Sequence, residues 1–418
     1  MTSDFGELIV TKNNEYDVVI IGGGMVGSTL ACALGDSQLR VALIEAKPPQ
    51  KSWPDDSIDL RVSALTQASQ RIFTTLQAWS TMEAHRVSPF CKMHVWDATG
   101  DGMIQFDSMD AGEETLGHIV ENRVVQRALI ERLGHFDNVE FICPASYKSV
   151  DIGQSQVSIQ LDGERVITAK LLVGADGAHS KIRERADITT RGWEYGQKAL
   201  VTRVRTTLPH QNTAWQRFMP TGPLAFLPLN DGSCSIVWST TPEHADQLTI
   251  MEDAEFVSAL EKAFDSKLGA VRSCGPRAAF PLRLQHAITY TCSRIALIGD
   301  AAHAIHPLAG QGVNLGLLDA ATLAEVLIDA CNAGKDIGLS TPLRRYERWR
   351  KGDNLLMMAS MDAFKRLFGS EEPSLRWARN VGLNIGNRIG PLKNRLMAHA
   401  MGTKDDLPKL ANGITVNK

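Results

Sequence analysis

The sequence predicts an α/β protein: a Rossmann-like layer of parallel strands, interrupted by a mainly antiparallel β-sheet and closed by a helical C-terminus. Three observations predict it. An apolar strand, Tyr16-Asp17-Val18-Val19-Ile20-Ile21, runs directly into Gly22-Gly23-Gly24-Met25-Val26-Gly27. A second strand–turn–helix unit lies far downstream, where Arg294-Ile295-Ala296-Leu297-Ile298 enters Gly299-Asp300-Ala301-Ala302-His303. Between them, residues 198–280 break into short β-rich runs separated by turn residues.

The first element reads as a parallel strand because Asp17 to Ile21 is β-branched and apolar, the pattern of a strand buried on both faces. In the loop that follows, Gly22 permits the tight turn, Gly24 lets backbone approach a pyrophosphate, and Gly27 allows close helix–strand packing. Ser28 to Leu34 reads as the helix, whose free N–H groups and dipole favour phosphate charge. A second strand, Arg40 to Ile44, ends at Glu45, where a ribose hydroxyl needs an acceptor. Such an acid favours an unphosphorylated ribose, so this loop is read for FAD or NAD and against NADPH. A lone glycine-rich turn is equally a structural feature; the strand before it, the helix after it and Glu45 favour the nucleotide.

With 418 residues the chain holds two or three domains with substantial cores. A net charge of −3 argues against a nucleic-acid partner recruited by bulk charge. The seven cysteines are scattered, with no C-x-x-C and no metal spacing, and read as small buried residues of a reducing cytoplasm. Val18 to Gly35 carries no charge, but Asp4, Glu7, Glu15 and Asp17 precede it against Lys12, the reverse of a signal peptide. Its glycines fit a loop better than a membrane span, so a cytoplasmic protein without a transmembrane helix is expected.

In the β-rich region the predicted strands are Leu200–Val204, Trp215–Phe218, Leu224–Leu227 and Ser235–Trp238, with a helix near Ala254 to Phe264. This reads as a substrate platform set into the nucleotide fold. Beyond Tyr346 the pattern is helical, with Leu355, Met358, Met361, Phe364, Leu367 and Phe368 on one apolar face. That face reads as packing or as a surface meeting lipid or a partner.

Two strand–turn–helix loops so far apart imply one long cofactor held at both ends, which points to FAD. Gly310-Gln311-Gly312-Val313-Asn314 opens the helix after the second loop. Amides of Gly310, Gly312, Val313 and Asn314 there would face the flavin N1–C2 carbonyl, where negative charge gathers on reduction. His303 and His306 are spaced for a metal only on a regular helix, which Pro307 disfavours, and no third ligand is evident, so no metal is expected.

A third signal lies between the loops: Leu171-Leu172-Val173-Gly174-Ala175-Asp176-Gly177-Ala178-His179-Ser180. In this order the three motifs resemble the FAD-dependent aromatic monooxygenases of the p-hydroxybenzoate hydroxylase class. Leu60-Arg61-Val62-Ser63-Ala64-Leu65, Gly117-His118-Ile119-Val120-Glu121-Asn122 and the stretch from Gly299 to Gly316 narrow the resemblance to the ubiquinone-biosynthesis hydroxylases. Within that family the sequence is most similar to the 2-octaprenylphenol hydroxylases. The resemblance implies a glutathione-reductase-type FAD-binding domain over residues 1–184 and 285–345, a substrate domain over 185–284 and a helical region over 346–418.

It also implies roles. Gly22, Gly24, Gly27 and Glu45 would bind the ADP part of FAD, Asp176 and Gly177 would serve FAD and passing NAD(P)H, and Asp300 would hold the ribitol. Arg61 and Asn122 would touch the flavin, although Asn122 stands where the class more often has Arg or Gln. His306 and Pro307 would lie beside the flavin ring, His306 facing substrate. Trp215, Phe218, Phe226, Leu227, Pro228 and Trp238 would wall the substrate, half of them by alternation being core. The residues name no general base; of the five tyrosines, Tyr195 and Tyr290 are the two that fall near the substrate domain.

The implied activity is hydroxylation of the aromatic ring of a polyprenylated phenol with NAD(P)H and O2, through a flavin C4a-hydroperoxide. Alternatives are a flavin hydroxylase of another phenol, or a flavin-bearing scaffold subunit of a quinone-biosynthesis complex. A lipophilic phenol is the expected partner, delivered by a biosynthetic complex or by peripheral contact with the inner membrane; a homo-oligomer is compatible. Arg344, Arg345, Arg348, Arg350 and Lys351 fit a basic flank for such contact.

Overall fold

Strand Glu15–Ile21 sits at the centre of a parallel layer, as its run of residues closed to solvent requires. In this computed structural model, which describes residues 14–50, 52–54, 57–304, 312–369, 372–388, 393, 402 and 406–416, it pairs with Val41–Ile44 on one side and Val166–Gly174 on the other. Val139–Ile142 extends the layer beyond Val41–Ile44, and Ile295–Leu297 extends it beyond Val166–Gly174, all parallel. Helices Met25–Ala33, Asn122–Leu133 and Gly312–Asn332 pack with this layer in one hydrophobic core. Helix Met25–Ala33 starts three residues before the predicted Ser28, directly from the glycine loop.

A nine-stranded sheet forms the second layer. The four predicted strands are present as Thr190–Thr206, Thr213–Met219, Gly222–Pro228 and Cys234–Thr240, and the predicted helix as Asp253–Ala263. The sheet is not confined to residues 185–284. Lys92–Asp97 joins it in parallel with Thr213–Met219, Met103–Asp107 forms its edge, and His303–Ala304 pairs with Ala278–Ala287. A small sheet of Val62–Leu65, Gly117–Glu121 and Ser88–Phe90 lies between the layers.

Alternation gives the large sheet two faces. Leu224, Phe226, Ile236 and Trp238 pack under Leu248, Phe256, Leu260 and Phe264 of the covering helices. Ala225 and Leu227 face the other way, against Ala64, Phe90 and Ile119 near the nucleotide layer.

Helix Ser340–Gly369 starts ahead of the predicted Tyr346 and links the layers. Met358 packs on Tyr195, Leu282 and Leu284, and Phe368 stacks on Phe218 at 4.1 Å between ring centroids. Helix Pro373–Arg388 then covers the edge strand Met103–Asp107. Asn380, Asn384 and Asn387 present their Oδ1 atoms to the amides of Gly102, Met103 and Gln105 at 2.5, 3.2 and 3.1 Å. The side chains thus replace the strand that an open edge would invite. Beside them, Arg379 is buried against Asp97 and donates to Leu367 O and Phe368 O, fixing the roll of the helix.

The apolar face expected beyond Tyr346 is mixed: Met358 and Phe368 are buried, while Leu355 is exposed. The basic flank is corrected more sharply. Arg350 is fully buried and Lys351 is half-buried against Glu347, leaving Arg344, Arg345 and Arg348 exposed, Arg345 paired with Asp329. All seven cysteines are free thiols; Cys32 and Cys234 are buried and the other five half-buried. No helix among the described residues is long and apolar enough to cross a membrane.

Candidate cofactor and active site

Parallel register brings the three sequence signatures to one edge. Ile21 pairs with Gly174 and Gly174 with Leu297, so the turns that follow leave the sheet side by side. Crevices at the carboxyl ends of such strands are where open α/β layers bind ligands. Small residues make the close approach possible. A Cβ on Gly22, whose φ is +110°, would lie 2.4 Å from Ala175 O of the second motif. A Cβ on Gly316 would lie 2.7 Å from Val26 of the first motif and 3.1 Å from Gly299 Cα of the third.

Within the first loop the glycines divide by surroundings. A Cβ on Gly27 would fall 2.0 Å from Gly22 O, whereas one on Gly24 would meet nothing within 4 Å. Gly24 caps helix Met25–Ala33 without any side-chain bond, so no cap side chain takes up the first-turn amides, the arrangement that receives an anion. Glu45 accepts from Gly23 N at 2.7 Å and Lys47 N at 2.8 Å, which holds the carboxylate beside the loop. Gln126 was not foreseen. Its Nε2 donates to Gly23 O at 2.9 Å from helix Asn122–Leu133, a contact without a local sequence signal.

The middle motif is internally braced. Asp176 accepts from Lys181 N at 2.8 Å, Ile182 N at 3.2 Å and the Ser180 hydroxyl, so its carboxylate caps helix Lys181–Arg185. Gly177, with φ +83°, has nothing within 4 Å of its Cβ position. Arg183 is a second unforeseen residue. Buried, it donates to Ala301 O at 2.9 Å and Ala178 O at 3.0 Å, tying the middle motif to the downstream one.

Asp300 is open to solvent, although protein encloses it on most sides. That enclosure pushes its carboxyl up from the ordinary range, with the charges of His303 and Arg61 opposing. Water reaching the recess weakens each of these effects. Arg61 is exposed, its guanidinium 5.9 Å from the ring centroid of Phe280 on the large sheet. Nucleotide layer and sheet meet there.

The two asparagines are committed to protein. Asn314 donates to Ala64 O at 2.8 Å and accepts from Thr66 N at 3.0 Å and Ser69 Oγ at 2.7 Å. Asn122 accepts from Ser63 Oγ at 2.7 Å. Both therefore seat helices against strand Val62–Leu65, Asn314 buried and Asn122 half-buried. Gly312 and Val313 begin helix Gly312–Asn332. His306, Pro307 and Gly310 lie outside the described residues.

His303 is buried, its Nε2 donating to Asp319, as a hydrogen-bonding residue of the turn. Tyr290 is also closed to solvent, its hydroxyl 3.3 Å from His286 Nδ1 and 3.4 Å from Asn354 Nδ2. Burial drives that hydroxyl far above its usual range, which makes it no ready base at neutral pH. Tyr195 is buried beside Met358, and burial pushes its hydroxyl up to about 12.

The expected substrate wall splits in two. Phe226 stacks on Phe264 at 3.6 Å, Trp238 is buried with it, and Trp215 packs half-buried on His94 at 4.9 Å. These three lie on the helix-covered face, Phe226 and Trp238 as core residues and Trp215 half-buried against them, a correction that follows from strand alternation. Phe218, buried under Phe368, is likewise packing. Leu227 faces the nucleotide layer, and Pro228 is buried beside it.

Comparison with known proteins decides the family. The family described as "FAD binding domain" matches residues 15–351. The chain is 39% identical to ubiquinone biosynthesis monooxygenase COQ6 of Xenopus tropicalis, over 92% of this chain and 93% of that one. The chain belongs to the FAD-dependent hydroxylases of ubiquinone biosynthesis. The 3-demethoxyubiquinol 3-hydroxylase of Escherichia coli is 37% identical, over 93% of this chain and 99% of that one. Ubiquinone hydroxylase UbiL of Rhodospirillum rubrum is 38% identical, over 98% and 95%. Among solved structures, p-nitrophenol 4-monooxygenase PnpA from Pseudomonas putida superposes with a TM-score of 0.76 at 19% identity, over 93% of this chain and 98% of that one, a likeness of fold. This hydroxylase is thus a flavoprotein monooxygenase with FAD as its cofactor.

Proposed function

We propose that this hydroxylase adds oxygen to the aromatic ring of a polyprenylated phenol, consuming NAD(P)H and O2 and releasing water. The observation that carries the reading is the meeting of the three motif turns at one crevice, with Arg61 and Phe280 bridging that crevice to the large sheet. Gly22, Gly24, Gly27 and Glu45 hold the ADP part: the uncapped amides take the pyrophosphate and the carboxylate takes the ribose. Gly177 leaves room for the cofactor's passage, Asp176 keeps that turn rigid, and Asp300 binds the ribitol. Gly310, Gly312 and Val313 direct helix amides at the flavin, and Asn314 and Asn122 brace them. Bound flavin, once reduced by NAD(P)H, supplies the activation of O2 for transfer of one oxygen atom to an electron-rich ring.

The protein's own task is to orient the ring and exclude water. Leu227, Pro228 and the segment of His306 and Pro307 form the ring site. Each CH2 buried contributes roughly 0.8 kcal/mol, so a long tail needs an apolar path. Trp193 and Phe280, 48% and 42% exposed on the strands that carry Tyr195 and Leu284, and Leu355, 43% exposed one turn before Met358, supply that path. Substrate is delivered at this side by peripheral membrane contact or by a biosynthetic complex. Mass spectrometry of lipid quinones from aerobically grown cells lacking this gene tests the proposal. Accumulation of a prenylphenol one oxygen short of the next intermediate is expected; an unchanged quinone profile, with related hydroxylases also deleted, overturns the substrate.

A further inference from the structure

Asp319 lies on helix Gly312–Asn332, fully buried, and takes no part in the cofactor assignments above. Its Oδ2 accepts from Gly299 N at 3.1 Å and from His303 Nε2. Its Oδ1 accepts from Arg350 Nε at 2.9 Å and Asn354 Nδ2 at 3.2 Å, both on the long helix Ser340–Gly369. Arg350 is itself closed to solvent and donates further to Asn354 Oδ1 at 2.9 Å and Asp353 at 3.3 Å. A buried carboxylate is costly unless paired and hydrogen-bonded, and this one is engaged by four donors from two segments, the turn and the long helix. Burial alone would raise its pKa, but His303 and Arg350 outweigh that and hold the acid ionised.

Neutralising Arg350 does not require Asp319, since Asp353 stands on the same helix. Asp319 also grips Gly299 and His303, which flank the solvent-facing Asp300 in the turn. Gly299 has φ +59°, a left-handed conformation that glycine adopts readily, and the bond from its amide to Asp319 ties that turn to the helix. We propose that Asp319 and Arg350 are positioning residues: together they clamp the turn that aims Asp300 at FAD, and they make cofactor retention depend on the seating of the long helix. The inference rests on the assignment of Asp300 to the cofactor.

A double-mutant cycle tests it, read out as the FAD dissociation constant of the apoprotein by flavin fluorescence, with far-UV circular dichroism as the check on folding. Asp300→Ala is one arm and Arg350→Met the other. Arg350→Met alone is expected to weaken FAD binding about tenfold or more, and Arg350→Lys to recover part of the loss. In the Asp300→Ala background, Arg350→Met is expected to add little, because a clamp acting through Asp300 has nothing left to aim. Full additivity, or wild-type affinity in Arg350→Met, overturns the clamp. If Arg350→Met fails to fold, Asn354→Leu replaces it in the same cycle, with the same expected and contrary results. Wild-type FAD affinity in Asp300→Ala overturns the assignment of Asp300, and the clamp with it.

Discussion

One added methyl group at Gly27 or at Gly24 should have different consequences, because the two positions have different surroundings. At Gly27 the new Cβ would sit 2.0 Å from Gly22 O, a backbone atom whose residue already holds φ +110°. A normal carbon–oxygen contact is about 3.4 Å, so helix and strand would have to part by roughly 1.4 Å. Overpacking of that kind costs about 1–3 kcal/mol and, through the loop, the cofactor site as well. At Gly24 the methyl group would meet nothing within 4 Å, and its φ of −69° and ψ of −176° suit alanine. The folding cost there is that of a poorer N-cap, about 1 kcal/mol or less. The same methyl group occupies the space a pyrophosphate must enter, so FAD affinity should fall by about tenfold or more, or about 1.4 kcal/mol. The assay is paired: melting temperature of each apoprotein, and FAD titration by fluorescence. Gly27→Ala should melt several degrees lower and bind poorly; Gly24→Ala should melt near wild type and bind poorly. Wild-type melting and binding in Gly27→Ala, or unchanged FAD affinity in Gly24→Ala, would refute the reasoning.

Other expected outcomes follow from the same geometry. His94, His118 and His286 are buried, and burial lowers each from 6.5 to about 4. Between those values the unfolded chain binds more protons than the folded one, so their stabilisation is present above pH 6.5 and lost as pH falls toward 4. Melting temperature should drop across that window, and His118→Gln should flatten the slope; a flat profile in the wild type would contradict this. Replacing Asn380, Asn384 and Asn387 together by Ala should raise hydrogen exchange at the amides of Gly102, Met103 and Gln105, at a cost of about 0.5–1.5 kcal/mol per bond. Unchanged protection would show that the helix does not seal the edge. Phe226→Ala should cost about 3–5 kcal/mol of stability and leave the KM for a phenol unchanged. A rise in KM without destabilisation would return Phe226 to the substrate wall.

How much was legible depended on whether the signal was local. The strand before Gly22, the glycines and Glu45 form one continuous pattern, as do Asp176-Gly177 and Gly299-Asp300, and the structure brings all three together. Asp319, Arg350, Gln126 and Arg183 act across long separations in sequence, through partners that no spacing rule connects. Alternation in Gly222–Pro228 announced two faces, but which face met helices was decided by Phe256, Leu260 and Phe264, distant in the chain. Arg350 counted as surface charge because its composition resembles that of its neighbours; only packing against Asp319 distinguishes it. The capping role of Asp176 was closer to hand, since Ser180 and the helix start lie only a few residues on.

The reaction proposed for this FAD-dependent hydroxylase inserts one atom of O2 into a polyprenylated aromatic ring at the expense of NAD(P)H. The most direct measurement supplies the FAD-loaded protein with NAD(P)H, a prenylated phenol and isotopically labelled O2, and weighs the product. One labelled oxygen per ring is predicted, with one NAD(P)H consumed for each product formed. An unlabelled product, or NAD(P)H consumption that yields only hydrogen peroxide across a panel of prenylated phenols, would contradict it.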